Sequence, residues 1–292
     1  MAKLLDLTGL GDLPELRDPF LVVHLHGWTD AGMAGQTAAV FLRSRWNAAI
    51  LGTFDADELI DFRARRPVVR LASGMIEEVT WSPTELLRAT PAGERDALLL
   101  VGPEPDFRWG AFCDEVVEAC HRLGVNEVFG LGAFPAPALH SDPVAVVGTS
   151  ADPDLAARLE TVPVIVELAA GIQTVIEERL YRAGIPATGL WARVPPYLAG
   201  GTHPPAALAL VQTLGRLTGT EIDTTELEAA TKDHLEQVEQ AISERPQIAE
   251  FVDQIRGMVE QGADERIPSG DEIAAELERF LNQNPPESGE PS

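Results

Sequence analysis

The sequence predicts an α/β protein: a mixed central sheet sandwiched by helices, with a helical arm at its C-terminal end. Three observations carry this. Apolar runs alternate with amphipathic runs through the first two-thirds of the chain. Two of the runs, Ala97-Leu-Leu-Leu-Val-Gly102 and Glu127-Val-Phe-Gly-Leu-Gly-Ala133, are almost continuously apolar, as strands covered on both faces must be. From residue 221 the alternation stops, and apolar residues recur at helical spacing only.

The opening unit is the clearest. Phe20-Leu-Val-Val-His-Leu-His26 predicts a buried strand, and Met33 to Trp46 a helix with Val40, Phe41 and Leu42 on its apolar side. Between them, the glycines of Gly27-Trp28-Thr29-Asp30-Ala31-Gly32 permit a sharp turn. Asp30 suits a helix cap and Trp28 suits packing. The same turn places backbone N–H groups at a helix N-terminus, where a ligand can bind. It is neither a GxGxxG nor a Walker loop, so it names no nucleotide.

Further strands are expected at 49–54, 67–71, 76–80, 97–102, 127–133, 144–148, 162–167 and 188–194. Helices are expected at 82–90, 108–123, 152–159, 170–184 and 204–217. Val68-Val-Arg-Leu71 and Met75-Ile-Glu-Glu-Val-Thr80, joined at Ser73-Gly74, predict a hairpin that would make the sheet mixed. In the arm, Leu227, His234, Leu235, Val238 and Ile242 share one helical stripe, and Ile248, Phe251, Val252, Ile255, Met258 and Val259 another. Pro246 suits the first turn of the second helix. Ser269-Gly-Asp-Glu272 predicts a capping box for a third helix, with Ile273, Leu277 and Phe280 inside. The expected division is an α/β core over 1–220, the arm over 221–282 and a disordered tail over 283–292.

Composition narrows the function. The 292 residues are 45% hydrophobic and carry a formal charge of −24, which argues against nucleic acid and anionic membrane surfaces as partners. Residues 221–292 hold 19 acids and 5 bases, so most of that charge lies in the arm and tail. No apolar stretch approaches the roughly 20 residues that span a bilayer. Residues 1–17 carry Asp6, Asp12 and Glu15 and do not read as a secretory signal, so a cytoplasmic location is expected. Cys113 and Cys120 fall on one helical face as small buried hydrophobes. There is no CxxC or HExxH, and the six histidines are scattered, so no metal and no cofactor is expected.

Three clusters of unusual residues fall at expected strand ends. They are the turn with Trp28, Asp30 and Gly32; the run Asp57-Glu-Leu-Ile-Asp61-Phe-Arg63-Ala-Arg65-Arg66-Pro67; and Gly102-Pro-Glu104-Pro-Asp106-Phe-Arg108-Trp109. Ligands of open α/β sheets bind beyond the carboxyl ends of strands, which the first and third clusters fit. Arg65 and Arg66 can hold a carboxylate or phosphate, or lock a loop or subunit contact through the nearby acids. Glu104 is the best single carboxylate candidate, and His140 a loop histidine able to act as acid or base. There is no G-x-S-x-G elbow and no nucleophile paired with a base, so no catalytic residue is assigned.

In order along the chain, several segments resemble the proteasome assembly chaperone 2 family in its actinobacterial form. They are Gly27-Trp28-Thr-Asp30-Ala-Gly32, Asp61-Phe-Arg-Ala-Arg65-Arg66-Pro67, Trp81-Ser-Pro83, Gly102-Pro-Glu104-Pro-Asp-Phe-Arg108-Trp109 and Leu131-Gly-Ala133. Val147-Gly-Thr-Ser150, Ala183-Gly-Ile-Pro186 and Leu190-Trp191-Ala-Arg-Val-Pro195-Pro-Tyr197 continue the series. The resemblance covers roughly residues 18–265. It implies an α/β fold similar to the nucleoside phosphorylase/hydrolase sandwich with helical additions. It also implies a homo-oligomer, a trimer in this form, and proteasome subunits as partners. The family supplies no catalytic residues. The chain departs from the family pattern at Asp142, where an arginine is expected, at Leu168-Ala-Ala-Gly171 and at Pro195-Pro196-Tyr197. Glu290-Pro291-Ser292 lacks the hydrophobic-Tyr-any ending by which some proteasome-binding proteins dock.

Two readings follow. One is an interaction protein, chaperone-like and homo-oligomeric. The other is a small-molecule-binding protein or an enzyme of nucleoside phosphorylase/hydrolase type, using a cleft around Trp28, Asp30 and Glu104. Fold alone separates neither. Convergence of Asp30, Glu104 and Arg108 on one point would favour the second. The candidate ligand or interaction residues are Trp28, Asp30, Gly32, Asp61, Arg65, Arg66, Glu104, Arg108, Trp109, His140, Trp191 and Tyr197.

Overall fold

An eight-stranded sheet forms the centre of the protein, in a computed structural model that describes residues 3–7, 15–93, 95–161 and 165–260. Its strands are β1 (Leu5–Asp6), β2 (Phe20–His26), β3 (Ala49–Phe54), β6 (Glu85–Ala89), β7 (Ala97–Pro103), β8 (Glu127–Pro135), β9 (Val146–Thr149) and β10 (Ala187–Val194). They lie in the order β1-β3-β6-β7-β2-β8-β10-β9. The four central strands β7, β2, β8 and β10 run parallel. Antiparallel pairings add β6, β3 and β1 on one side and β9 on the other. The sheet is therefore mixed through its flanks. The hairpin of β4 (Val68–Ala72) and β5 (Met75–Thr80) forms, but as a separate two-stranded sheet, which corrects the expectation that it would join the main one.

Alternate residues of each central strand feed two cores. Leu21, Val23, Leu98, Leu100 and Val128 face α3 (Trp109–Leu123) and α5 (Ile172–Arg182). Phe20, Val22, Leu99, Phe129 and Leu131 face α1 (Ala34–Arg45) and α6 (Pro204–Thr218). This explains why the strands are apolar throughout, since both faces are covered. Cys113 and Cys120 are free thiols on the buried side of α3, and burial pushes both up to about 12. They are protonated packing groups.

The segment expected to be a helix over 82–90 contains β6 instead. Glu, Leu, Leu, Arg and Ala are good helix formers. Here β6 is hydrogen-bonded between β3 and β7, with Leu86 in one core and Leu87 in the other. Two-sided pairing outweighs a propensity of a few tenths of a kcal/mol per residue. The strand expected over 162–167 is also absent across its described part: residues 165–170 pair with no strand and are exposed. Two short helices, α2 (Ala56–Leu59) and α4 (Pro153–Ala156), complete the body.

After α6 come α7 (Thr225–Glu244) and α8 (Pro246–Glu260), helices at the positions expected for the first two after residue 221. Helix α7 lies against α6, burying Leu227 and Val238. The expected third helix and tail lie outside the described residues. No helix among the described residues is long and apolar enough to cross a membrane.

Candidate functional site

The parallel strands β2, β7, β8 and β10 end at one edge of the sheet, and there the candidate residues collect. Strands β2 and β7 are neighbours in register, His26 opposite Pro103, so the two turns that follow them lie side by side. Gly102 permits this at φ 146°, because a Cβ there would stand 2.5 Å from the Thr84 backbone.

Glu104 turns inward from the β7 turn. One carboxylate oxygen accepts a hydrogen bond of 3.0 Å from the Ile172 N–H at the start of α5. The helix N-terminus, where an external anion could bind, thus already holds an anion belonging to the protein. Trp28 stands beside it. A Cβ on Gly171 would lie 3.1 Å from Trp28 Cδ1 and 3.5 Å from Glu104 Oε2. The indole is more than half exposed at 58%.

Arg65 binds the other side of the same turn. It donates to the Glu104 carbonyl at 2.5 Å and to Asp106 Oδ1 at 2.6 Å. Asp106 Oδ2 accepts from the Asp61 N–H at 2.7 Å, and the Asp61 carboxylate accepts from the Arg63 N–H at 2.9 Å. Arg108 pairs with Glu58, and Trp109 donates its indole N–H to the Pro105 carbonyl at 2.6 Å. Arg66 is exposed and has no ion pair among the described residues.

Asp30 faces elsewhere. It forms a bridge with Ala133, and its two carboxylate oxygens accept the Gly35 and Gln36 N–H groups at 2.8 and 3.0 Å. Gly32, at φ 65°, donates to the Ala199 carbonyl at 2.9 Å and accepts from the His203 N–H at 2.8 Å. A side chain at Gly32 would meet His203 Cβ at 2.6 Å. Behind this turn, buried His24 donates from Nδ1 to the Leu131 carbonyl at 3.0 Å. Its Nε2 stands 3.8 Å from Asp30 without a hydrogen bond. His26 is open to solvent on one side only, and this partial desolvation first, then His24 and Arg65, hold it below its ordinary range.

The third cluster joins the sheet edge to α7 and α8. Tyr197 Oη accepts from the His140 N–H at 3.0 Å and lies 2.8 Å from His140 Nδ1, while His140 Nε2 lies 3.0 Å from Glu239 on α7. One proton arrangement satisfies all three: tyrosine O–H to Nδ1, and Nε2–H to the carboxylate. The Phe251 ring of α8 stands edge-on to Tyr197 at 6.4 Å. Burial pushes the Tyr197 hydroxyl up. Beside this set, His203 Nδ1 and His234 Nε2 of α7 share a contact of 3.0 Å. His203 is 1% exposed, and its Nε2 has no partner among the described residues. Burial, then the neighbouring His234 and His140, push it down to about 4, and His234 is lowered too.

Trp191 is placed apart from the Glu104 turn, with its N–H on Thr149 Oγ1 at 3.1 Å. Thr149 in turn lies 3.3 Å from Glu177, a carboxyl on the inner face of α5 that burial pushes up to about 8. Glu177 and His234 lie at inner-face spacing on α5 and α7, a signal the sequence carries, whereas nothing local marks His203, which precedes α6.

The edge is thus three clusters: Trp28 with Glu104, Arg65, Asp61 and Asp106; Asp30 and Gly32 with His24; and His140 with Tyr197. Asp30, Glu104 and Arg108 are each bound to a different internal partner. No group of three metal-binding side chains occurs among the described residues. An open recess of about 560 Å³ lined by Gln212, Arg216, Glu221 and Thr224 lies by the C-terminal end of α6. That is the end of α6 remote from His203 and the site.

A mixed sheet sandwiched by helices, with a carboxyl edge whose charged groups are largely bound to one another, defines an α/β sandwich protein. The PAC2 family model matches residues 24–242, and the chain belongs to the PAC2 family. A PAC2 family protein from Streptomyces avermitilis is 36% identical, with a TM-score of 0.70, covering 76% of this chain and 95% of that one. A proteasome-assembly chaperone homologue from Mycobacterium tuberculosis is 31% identical, with a TM-score of 0.74, covering 80% and 99%. A protein of unknown function from Corynebacterium glutamicum is 26% identical, with a TM-score of 0.80, covering 95% and 99%. No match was found among curated proteins.

Proposed function

We propose that this protein is a cytoplasmic, homo-oligomeric interaction protein that acts on proteasome subunits as an assembly chaperone. Membership of the PAC2 family and the likeness to a proteasome-assembly chaperone homologue support the chaperone-like role. The observation that carries the interaction reading is the saturation of the carboxyl edge. Glu104 fills the α5 N-terminus, Arg65 is bound to Asp106, and Asp30 caps α1. Three aromatic side chains stand exposed here, Trp28 at 58%, Phe107 at 51% and Trp81 at 49%, beside the exposed Arg66. Exposed aromatic groups beside arginine are the composition of protein-binding hot spots. We further propose residues 1–220 as the α/β body and 221–282 as an arm, with α7 and α8 presenting an acidic outer surface. Tagged full-length protein recovered from its own cells should bring down proteasome α or β subunits, and Trp28→Ala should reduce that recovery. Recovery of no proteasome subunit from cells that express them would refute the reading.

A further inference from the structure

The hairpin β4–β5 stands apart from the main sheet, and every one of its strand residues except Ala72 is exposed. It turns at Ser73 and Gly74, both at positive φ, the turn geometry that suits the right-handed twist of two strands. Its pairing is not uniform. Arg70 is opposite Glu78 but Leu71 is opposite Ile76, so Glu77 is an extra residue in β5. This bulge brings Glu77 and Glu78 to Arg70 at 2.7 and 3.6 Å. It also turns Ile76 to the side that carries Val69, Leu71 and Val79. One face is therefore wholly apolar and the other carries the charges.

The candidate site residues hold this hairpin in place. Phe62, just before β4, packs edge-on against Trp81, just after β5, at 4.6 Å. Arg65 fastens the same root to Asp106 and to the Glu104 carbonyl. An isolated two-stranded sheet is marginal in water. Here two clamps fix the root while the blade stays uncovered. The two free edges differ. That of β5 is disrupted by the bulge and bears two glutamates, devices that discourage pairing. That of β4 is regular and is flanked by Arg63 and Arg66, whose side chains have no ion pair among the described residues.

A matching strand-former lies elsewhere on the chain. The sequence over 162–167 predicts a strand, yet its described part pairs with nothing. Ile165, Val166 and Leu168 are exposed at 105%, 53% and 74%. The only charged residues between 160 and 171 are Glu160 and Glu167, which have no ion pair among the described residues. An apolar, acidic, unpaired segment complements an apolar strand edge flanked by arginines. We infer that segment 165–168 of one copy adds to the free β4 edge of a second copy as a third strand. Main-chain hydrogen bonds supply affinity and the Arg66–Glu167 charges set register. A contact between two different surfaces closes into a ring when its rotation allows. The inference rests on the homo-oligomer reading and names the element that builds it.

Mixing two full-length variants, each with one added cysteine, tests it, because the native Cys113 and Cys120 are buried. Val69→Cys mixed with Val166→Cys should give a disulfide-linked dimer under mild oxidation. Neither variant alone should do so. Arg66→Glu should weaken assembly about tenfold, and adding Glu167→Arg should restore most of it. Leu71→Asp, at an exposed position, should dissociate the oligomer while leaving the melting of the body unchanged. A wild-type protein that is monomeric at micromolar concentration overturns the homo-oligomer reading and this one with it. A wild-type oligomer that forms no mixed disulfide and tolerates Leu71→Asp overturns this inference alone. An intrachain bond in the double-cysteine variant, with none across the mixture, overturns it as well.

Discussion

Two polar regions lie at the same edge of the sheet and are built in opposite ways. Around Glu104 the groups are charged, partly exposed and paired: carboxylate to helix N-terminus, guanidinium to carboxylate, carboxylate to backbone N–H. At the seam with α7 the buried imidazole of His203 meets the half-buried one of His234, and His203 Nε2 has no partner among the described residues. The first region tolerates water and fixes the geometry of exposed apolar elements. The second is largely withdrawn from water and joins α7 to the residue preceding α6 through a neutral contact that protonation should weaken. A paired, half-exposed network adds modest stability with little dependence on pH near neutrality. An uncharged buried pair costs little while neutral and much once ionised.

The sharpest break between them should come with acid. His203 is lowered from 6.5 to about 4 in the folded protein. The unfolded chain therefore binds the proton first, and stability that is complete above pH 6.5 is lost as pH falls toward 4. The gap corresponds to about 3 kcal/mol. Urea melts of full-length protein at pH 7, 5.5 and 4.5 should show this loss, and His203→Gln should flatten it. An unchanged acid slope in the variant would place the effect elsewhere.

Arg65→Ala should act on the other region and at all pH values near neutrality. It removes one partner of a partly buried pair and should cost about 2 kcal/mol. Because Arg65 also mounts the hairpin, limited proteolysis should cut between residues 68 and 80 faster than global unfolding accounts for. Cleavage rising only in proportion to global unfolding would sever the mount from the hairpin.

The smallest effect belongs to Tyr197→Phe. It leaves the His140 N–H without its acceptor and should cost about 1 kcal/mol. Its mark is local: amide exchange in α7 and α8 should quicken while that of β2, β7 and β8 holds. Uniform quickening would mean that the arm and the body open together.

What the sequence disclosed follows how local each feature is. Strands β2, β7 and β8 carry their burial in their own residues, and α1 and α3 were legible as helices. Val40, expected on the apolar side of α1, is however 60% exposed while Phe41 and Leu42 are buried, because consecutive residues of a helix point in different directions. Strand β6 was not legible, because Glu85-Leu-Leu-Arg-Ala89 has a helical composition and only its neighbours β3 and β7 make it a strand. At the site, Arg65, Glu104 and Asp106 stood out as residue types, but their mutual bonds depend on the approach of two loops about forty residues apart. His234 sat on the apolar stripe of α7, which signalled that it faces inward. That it meets His203 depends on the docking of α7 against α6, which no local pattern encodes.

If this edge of the molecule serves protein contact in proteasome assembly, as proposed, the protein must change how that assembly proceeds. The direct measurement is the rate at which separately purified proteasome α and β subunits of the same organism form core particles, followed on native gels with and without the full-length protein. Faster assembly or a stable intermediate containing this chain is expected, with the effect reduced in Trp28→Ala. Assembly at an unchanged rate, with no complex between this chain and either subunit, would contradict it.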